Sequence, residues 1–466
     1  MVSRRETKTG GRPATTGVIR GRYALSVGKP DIPLPEGWQW VALSDVARLE
    51  TGHTPSRRHP EYWGGEVPWI GIKDATENHG RVIHDTYQHT NKLGISNSSA
   101  RILPANTVCL SRTASVGYVV VMGVPMATSQ DFVDWVCSKS IDCRYLKYVL
   151  LAEREALLRF ASGTTHQTIY FPEVKAFHVA LPPVPEQQFI AHILGTLDDK
   201  IELNRRMNET LEAMSQALFK SWFVDFDPVR AKMEGRSAEL AAKTAALFPR
   251  SFNESNVGDI PKGWDVRSLY ECAEYINGLA FRNEHFSLDR IGLPIIKIGE
   301  LKGGITAQTK FTEFVFDSKY LILSGDILFS WSGSPDTSID MFVWEGGQGW
   351  LNQHIFKILF KQPVEKYFVY YLLRHLKPVF IEIARNKQTT GLGHVTAQDL
   401  KRLVAIFPPE DILRAFNKLA EPIFLKVFSN ISESRMLAAI RDALLPKLLS
   451  GEIRLKDAAK IAGAVV

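Results

Sequence analysis

Apolar residues recur at heptad spacing after a proline pair in the middle of the chain. They are Ile190, Leu194, Leu197 and Ile201, then Asn204 and Asn208, then Leu211, Ser215, Leu218 and Trp222. Alternating steps of four and three place these side chains on one seam of a long helix, the pattern of a coiled coil. The pattern returns 226 residues later at Phe416, Ala420, Ile423, Val427, Asn430, Ser434, Leu437, Arg441, Leu444 and Leu448. Even the polar break is repeated, at Asn204 and Asn430. A polar residue in a seam fixes its alignment at some cost in stability. Helices are expected over 186–225 and 410–450. Two separate amphipathic helices, each lying on its own domain, remain the alternative.

Ahead of each helix the texture is strand-like. Thr107-Val108-Cys109-Leu110, Tyr118-Val119-Val120-Val121 and Phe177-His178-Val179-Ala180-Leu181 are answered by Asp326-Ile327-Leu328-Phe329, His354–Phe360 and Leu403–Phe407. Their β-branched and aromatic content predicts strands. One helical stretch interrupts each set, near Asp142–Ala161 and near Val364–Arg385. The displacement of 226 also relates Pro35-Glu36-Gly37-Trp38 to Pro261-Lys262-Gly263-Trp264, and Pro182-Pro183 to Pro408-Pro409. A unit of this length is a duplicated domain rather than a solenoid repeat. The fold class is therefore α+β, with two similar domains in tandem at 31–185 and 257–409, each followed by a long helix. Residues 226–256 are expected to be a linker with a short helix over Ser237–Leu247, and residues 451–466 a tail.

Composition adds little to the body of the chain and much to its start. The formal charge is +6, yet residues 1–30 hold seven Lys and Arg against Glu6 alone, so the remaining residues sum to zero. This segment is expected to be a disordered basic tail. The high pI gives no argument for a nucleic-acid-binding body. No apolar run reaches the roughly 18 residues of a membrane span, so no membrane association is expected. Cys109, Cys137, Cys143 and Cys272 form no C-x-x-C pair and read as buried thiols of a reducing cytoplasm.

The usual signatures of catalysis are missing from the sequence. No phosphate-binding G-x-x-x-x-G-K-[ST] occurs, and Gly391-Leu392-Gly393-His394 precedes a strand-like stretch and reads as a turn. Pro335-Asp336 with Glu345 is followed by Gly346-Gly347 where a metal nuclease needs a lysine. No histidine pair has metal-ligand spacing. No catalytic site, metal or cofactor is expected on this chain.

Binding is a better expectation. Loops between the strands mix basic, hydroxyl, amide and aromatic side chains, the groups suited to base edges and phosphates. The first half offers Thr54, Arg57, Arg58, Lys73, Arg112, Ser115, Thr164, Thr165 and His166. The second offers Arg282, Lys297, Trp331, Ser332, Lys387, Thr389 and Thr390. Frame positions match between the halves while these loops differ, as expected of one operation performed on two different targets.

In these residues the chain resembles the specificity (S) subunits of type I restriction-modification systems over nearly all of residues 32–450. The resemblance rests on the two Gly-Trp openings, Thr51-Gly52-His53-Thr54-Pro55, Val67-Pro68-Trp69-Ile70, the Pro-Pro-x-Pro-Glu-Gln run at 182–187 and the helix ending Ser221-Trp222-Phe223-Val224-Asp225-Phe226-Asp227-Pro228. It implies two target recognition domains that each read half of a bipartite site in double-stranded DNA. The long helices would form an antiparallel coiled coil that spaces them and carries two modification (M) subunits. S-adenosylmethionine, ATP and Mg would belong to those subunits and to two restriction (R) subunits, in a bacterial or archaeal cytoplasm. The second helix departs from the first, with Arg441 in place of Ser215 and no Trp-Phe-Val-Asp ending. An endonuclease with an unrecognised metal site and a coiled-coil adaptor that binds proteins are the competing readings.

Overall fold

A computed structural model describes residues 17–162, 167–237, 240–388 and 392–455. The chain divides into two compact units, one containing the residues up to Ile201 and those from Arg435 on, the other Glu202–Ser434. The long helices are therefore not separate bodies. Each gives one portion to each unit.

Both helices are 40 residues long, Val184–Phe223 and Glu410–Leu449, and their ends are displaced by the same 226 residues. At about 1.5 Å per residue each spans roughly 60 Å. The first starts two residues earlier and stops two residues earlier than expected. Pro182 and Pro183 precede it, and the backbone leaves helical geometry before Phe226, whose φ is +54°. The expected seam is buried at Ile190, Leu194, Asn204, Phe416 and Asn430, and half-buried at Leu197, Ile201, Leu211, Leu218, Ile423, Val427, Leu437 and Leu444.

In the first unit a five-stranded sheet runs in the order Ala47–Thr51, Phe132–Cys137, Val108–Ser111, Val119–Met122, Val82–Ile83. Val108–Ser111 and Val119–Met122 are buried at every position, which is why they read as unbroken apolar runs. Trp63–Ile70 lies between Ala127–Thr128 and Gln88–Thr90 in a second sheet. The helices Cys143–Ala152 and Arg154–Phe160 cover the core, packing Tyr145, Tyr148 and Phe160 against Val108, Trp135, Leu194 and Leu448.

The expected tail is partly built into this unit. Ile19–Arg20 and Leu25–Val27 form two strands of a sheet with Phe177–Leu181 and Gln39–Ala42. The buried Glu153 carboxylate accepts from the backbone N–H groups of Arg22, Tyr23 and Ala24 at 2.5–2.8 Å. A carboxylate that gathers several backbone donors fixes a turn as firmly as apolar packing. Residues 1–16 lie outside the described residues. The expected C-terminal tail is also anchored at its start, where Arg454 pairs with Glu186 at 2.9 Å.

The second unit repeats the frame. Glu274–Asn277, Ile355–Leu359, Ile327–Ser330 and Asp340–Val343 form one sheet, and Phe311–Thr312, Leu293–Ile296, Gly349–Leu351 and Leu321–Ile322 another. The displacement is not constant, however. Ile327 begins the counterpart of Val108 and Asp340 that of Val119, displacements of 219 and 221 residues. Loop lengths have diverged in the middle of the domain while both ends kept their register.

The region 226–256 is more than a linker. It holds two helices, Asp227–Met233 and Ala242–Leu247, and the strand Phe252–Asn253. Phe226, Val229 and Phe248 are buried in one core with Trp222, Phe223, Trp264 and Phe416. Trp222 meets Phe248 edge to face at 5.1 Å. Such packing contributes beyond area burial alone.

Candidate nucleic-acid interface

In the first unit the loop 52–58 leaves the end of Ala47–Thr51 and is fixed from below. A Cβ on Gly52 would stand 2.1 Å from the Thr128 hydroxyl and 2.3 Å from the Ser129 carbonyl, so only glycine fits. His53 N–H donates to the Thr128 carbonyl at 2.9 Å, and the Trp69 indole donates to the His53 carbonyl at 3.1 Å. The Thr128 hydroxyl donates to Asp134 at 2.6 Å. Asp134 is fully buried, and burial pushes its pKa up to about 7 against the bond from Thr128 that favours the carboxylate. The fully buried Cys109 thiol beside it favours the carboxylate in the same sense.

Above this foundation the candidate side chains converge. Thr54 donates to the side chain of Gln130, and Arg112 donates to the Gln130 carbonyl at 3.1 Å. Arg57 donates to the Gln88 side chain at 2.8 Å, and its guanidinium lies 4.0 Å from the Trp63 ring. Arg57, Trp63, Gly64, Gly65, Tyr87, Gln88 and His89 line an open pocket of about 330 Å³. Lys73 adjoins it, its ammonium 3.7 Å from the Tyr87 ring. Arg58 is exposed, and Ser115 is half-buried in the turn after Val108–Ser111. Burial lowers the pKa of Arg112 while Asp131 raises it, and its Nε is buried without a partner. Thr164, Thr165 and His166 fall outside the described residues.

Sequence reasoning missed Gln88, Gln130 and Trp63. Gln88 stands 31 residues from Arg57 at the start of the strand Gln88–Thr90, and Gln130 stands 76 residues from Thr54 in the turn between Ala127–Thr128 and Phe132–Cys137. No local spacing could have paired them.

The second unit keeps the foundation and changes the surface. A Cβ on Gly278 would stand 2.1 Å from the Asn352 carbonyl, the same close approach as at Gly52. Asn277 accepts from the Trp331 indole at 3.0 Å, and Ser332 pairs with His394 across a short strand pair. Arg282 is exposed with Glu284 at 3.8 Å. Lys297 is exposed, its ammonium 5.5 Å from the Phe286 ring. Lys387 donates to both oxygens of Asp399 at 2.6 Å, a carboxylate already tied to Thr396. It serves the local fold before any ligand. Beside Arg282 the surface is aromatic, with Phe281, His285, Phe314 and Phe316 in mutual ring contact. Thr389 and Thr390 fall outside the described residues.

The long helices touch within each unit. In the second, the Asn204 amide donates to Glu433 and the Asn430 amide to Asn208, both at 2.8 Å. In the first, Asp198 accepts from Lys147 at 3.1 Å, Tyr148 at 2.6 Å and Arg441 at 2.9 Å. Burial raises the Asp198 pKa, but these partners hold it below the ordinary carboxylate value. In the second unit the residue number on the second helix falls from 433 to 430 as that on the first rises from 204 to 208.

Among the described residues no helix is long and apolar enough to cross a membrane. Comparison with known proteins gives a consistent picture. The family model for the type I restriction modification DNA specificity domain matches twice, over residues 35–213 and 261–421. The MjaIX type I restriction enzyme specificity subunit of Methanocaldococcus jannaschii is 28% identical over 448 residues, covering 94% of this chain and 99% of that protein. The HindI specificity subunit of Haemophilus influenzae is 31% identical over 340 residues, covering 63% of this chain and 72% of that one. The crystal structure of a type I restriction-modification S subunit from M. genitalium shares the fold, with a TM-score of 0.55 and 16% identity over 90% of this chain and 98% of that chain.

Proposed function

The chain belongs to the type I restriction modification DNA specificity family, and on that premise we propose that it is the non-catalytic, sequence-reading subunit of a type I restriction-modification complex. Its two domains each read one half of a bipartite, asymmetric site in duplex DNA. The paired long helices act as an antiparallel coiled-coil spacer. They also carry the two modification subunits, on which S-adenosylmethionine is used, and the two restriction subunits with their ATP and Mg.

One observation supports this reading above the others. The DNA specificity model matches the chain twice, on frames that share the Gly52 and Gly278 close approaches yet carry different side chains above them. A shared frame sets where each domain meets the duplex. Different loops let each read its own sequence through base edges, while phosphate contacts position without specifying. Opposite residue numbering at the contacts Asn204–Glu433 and Asn208–Asn430, both in the second unit, supports the antiparallel spacer.

The test is a map of methylated adenines in cells with and without the gene. A bipartite motif that vanishes with the gene is expected. Purified alone with DNA and Mg, the chain is expected neither to cut nor to methylate. Cutting by the isolated chain would overturn the reading in favour of an endonuclease.

A further inference from the structure

Resting on the reading of the first domain as a reader of duplex DNA, we propose that Arg57, held by Trp63 and Gln88, is a guanine-recognition head. It would take the O6 and N7 acceptors of one guanine in the major groove of the first half-site.

The geometry is that of a preset donor. The guanidinium lies 4.0 Å from the Trp63 ring and 5.2 Å from the Trp69 ring, and the two indoles meet edge to face. One of its nitrogens is engaged by the Gln88 carbonyl oxygen at 2.8 Å. Arginine has five N–H donors, so the remainder stay available. Stacking and one anchoring bond fix the long side chain before any ligand arrives, which removes most of the ordering cost of binding. Gly64 and Gly65 line the pocket and leave it about 330 Å³ of open space for an approaching edge.

The surrounding charges separate a base from a phosphate. Lys73 has Glu77 at 3.9 Å, and His89 has Asp85 at 2.8 Å. Carboxylates therefore stand beside both neighbouring basic side chains, Lys73 and His89, and repel a phosphate. Among the described residues no carboxylate pairs with Arg57. What the site offers is a planar pair of donors on an aromatic shelf. Guanine alone presents two adjacent acceptors on its major-groove edge. The residue displaced by 226 from Arg57 is Asn283, so the second half-site carries no such requirement.

The test uses the full chain assembled with its modification subunits. Duplexes bearing the methylated site receive 7-deazaguanine, which lacks the N7 acceptor, at each guanine of the first half-site in turn. One substitution is expected to weaken binding about tenfold or more, and equal binding at every position overturns the proposal. In parallel, Arg57→Lys keeps the charge but loses the paired donors. Its methylation map should relax at that one base pair, with the second half-site unchanged, and Gln88→Leu should relax the same position less. A first half-site without guanine, or relaxation elsewhere, sinks the guanine head and leaves the bipartite reading intact. Failure of the unaltered chain to direct any bipartite methylation removes both.

Discussion

Asp198 of the first long helix and Arg441 of the second meet at 2.9 Å, and the same carboxylate takes Lys147 and Tyr148 from the domain beside them. The positions displaced by 226 are Phe424 and Ser215. There Phe424 packs on the rings of Tyr367 and Tyr370, and Tyr371 bonds Ser215 at 3.1 Å. At these two positions one repeat joins domain to helices through charge and the other through aromatic surface and a hydroxyl pair, while the second repeat keeps its own ion pair nearby, Arg374–Glu212 at 2.9 Å.

Arg441→Ala leaves Asp198 with less compensation and should cost roughly 1–3 kcal/mol, whereas Ser215→Ala should cost about 1 kcal/mol or less. Because the folded Asp198 carboxyl is held below its ordinary value, its contribution is present above that value and fades as pH falls through the folded one. Urea unfolding followed against pH should show the gap between wild type and Arg441→Ala narrowing in acid. A constant gap would separate the loss from the carboxylate.

Asp134 titrates in the opposite sense. Its folded pKa is raised to about 7, so the folded protein holds a proton that the unfolded chain releases. Stability should fall as pH rises from about 4 to about 7 and then level off. Asp134→Asn should flatten that slope. Denaturation midpoints taken between about pH 5 and about pH 8 would reveal it, and an unchanged slope would assign the effect to another group.

The two foundation glycines should behave alike and independently. Gly52→Ala and Gly278→Ala each place a methyl group 2.1 Å from an oxygen of the neighbouring strand segment. Each should cost roughly 1–3 kcal/mol and weaken recognition of its own half-site. Binding to duplexes altered in one half-site at a time would show the separation, and equal weakening of both would argue for a global defect.

Much of this frame is legible in the sequence. The heptad run fixed the long helices to within two residues, since a seam of 3.5-residue period admits no other element over such a length. Val108–Ser111 and Phe177–Leu181 were legible because buried strands advertise themselves as apolar runs. What escaped depends on distant partners. Nothing in the basic, glycine-rich start announces that Glu153 gathers the N–H groups of Arg22, Tyr23 and Ala24. Nothing in the Ala-rich stretch before Phe248 announces its packing on Trp222. At the candidate interface the basic side chains were legible by type, but their fates were not. Arg57 stands exposed over an indole while Lys387 is bound to Asp399.

If the paired helices set the distance between the readers, one heptad added to each should lengthen the spacer by about 10 Å, close to three base-pair steps of about 3.4 Å. The unread gap of the methylated motif should grow while both half-sites keep their sequence. A changed half-site would contradict the spacer.

The most direct test of the whole account is an exchange of residues 38–184 for the corresponding domain of another family member, followed by methylated-base sequencing of the host genome. One half of the motif is predicted to change, with the other half retained. Loss or alteration of both halves together would contradict two independent readers on one chain.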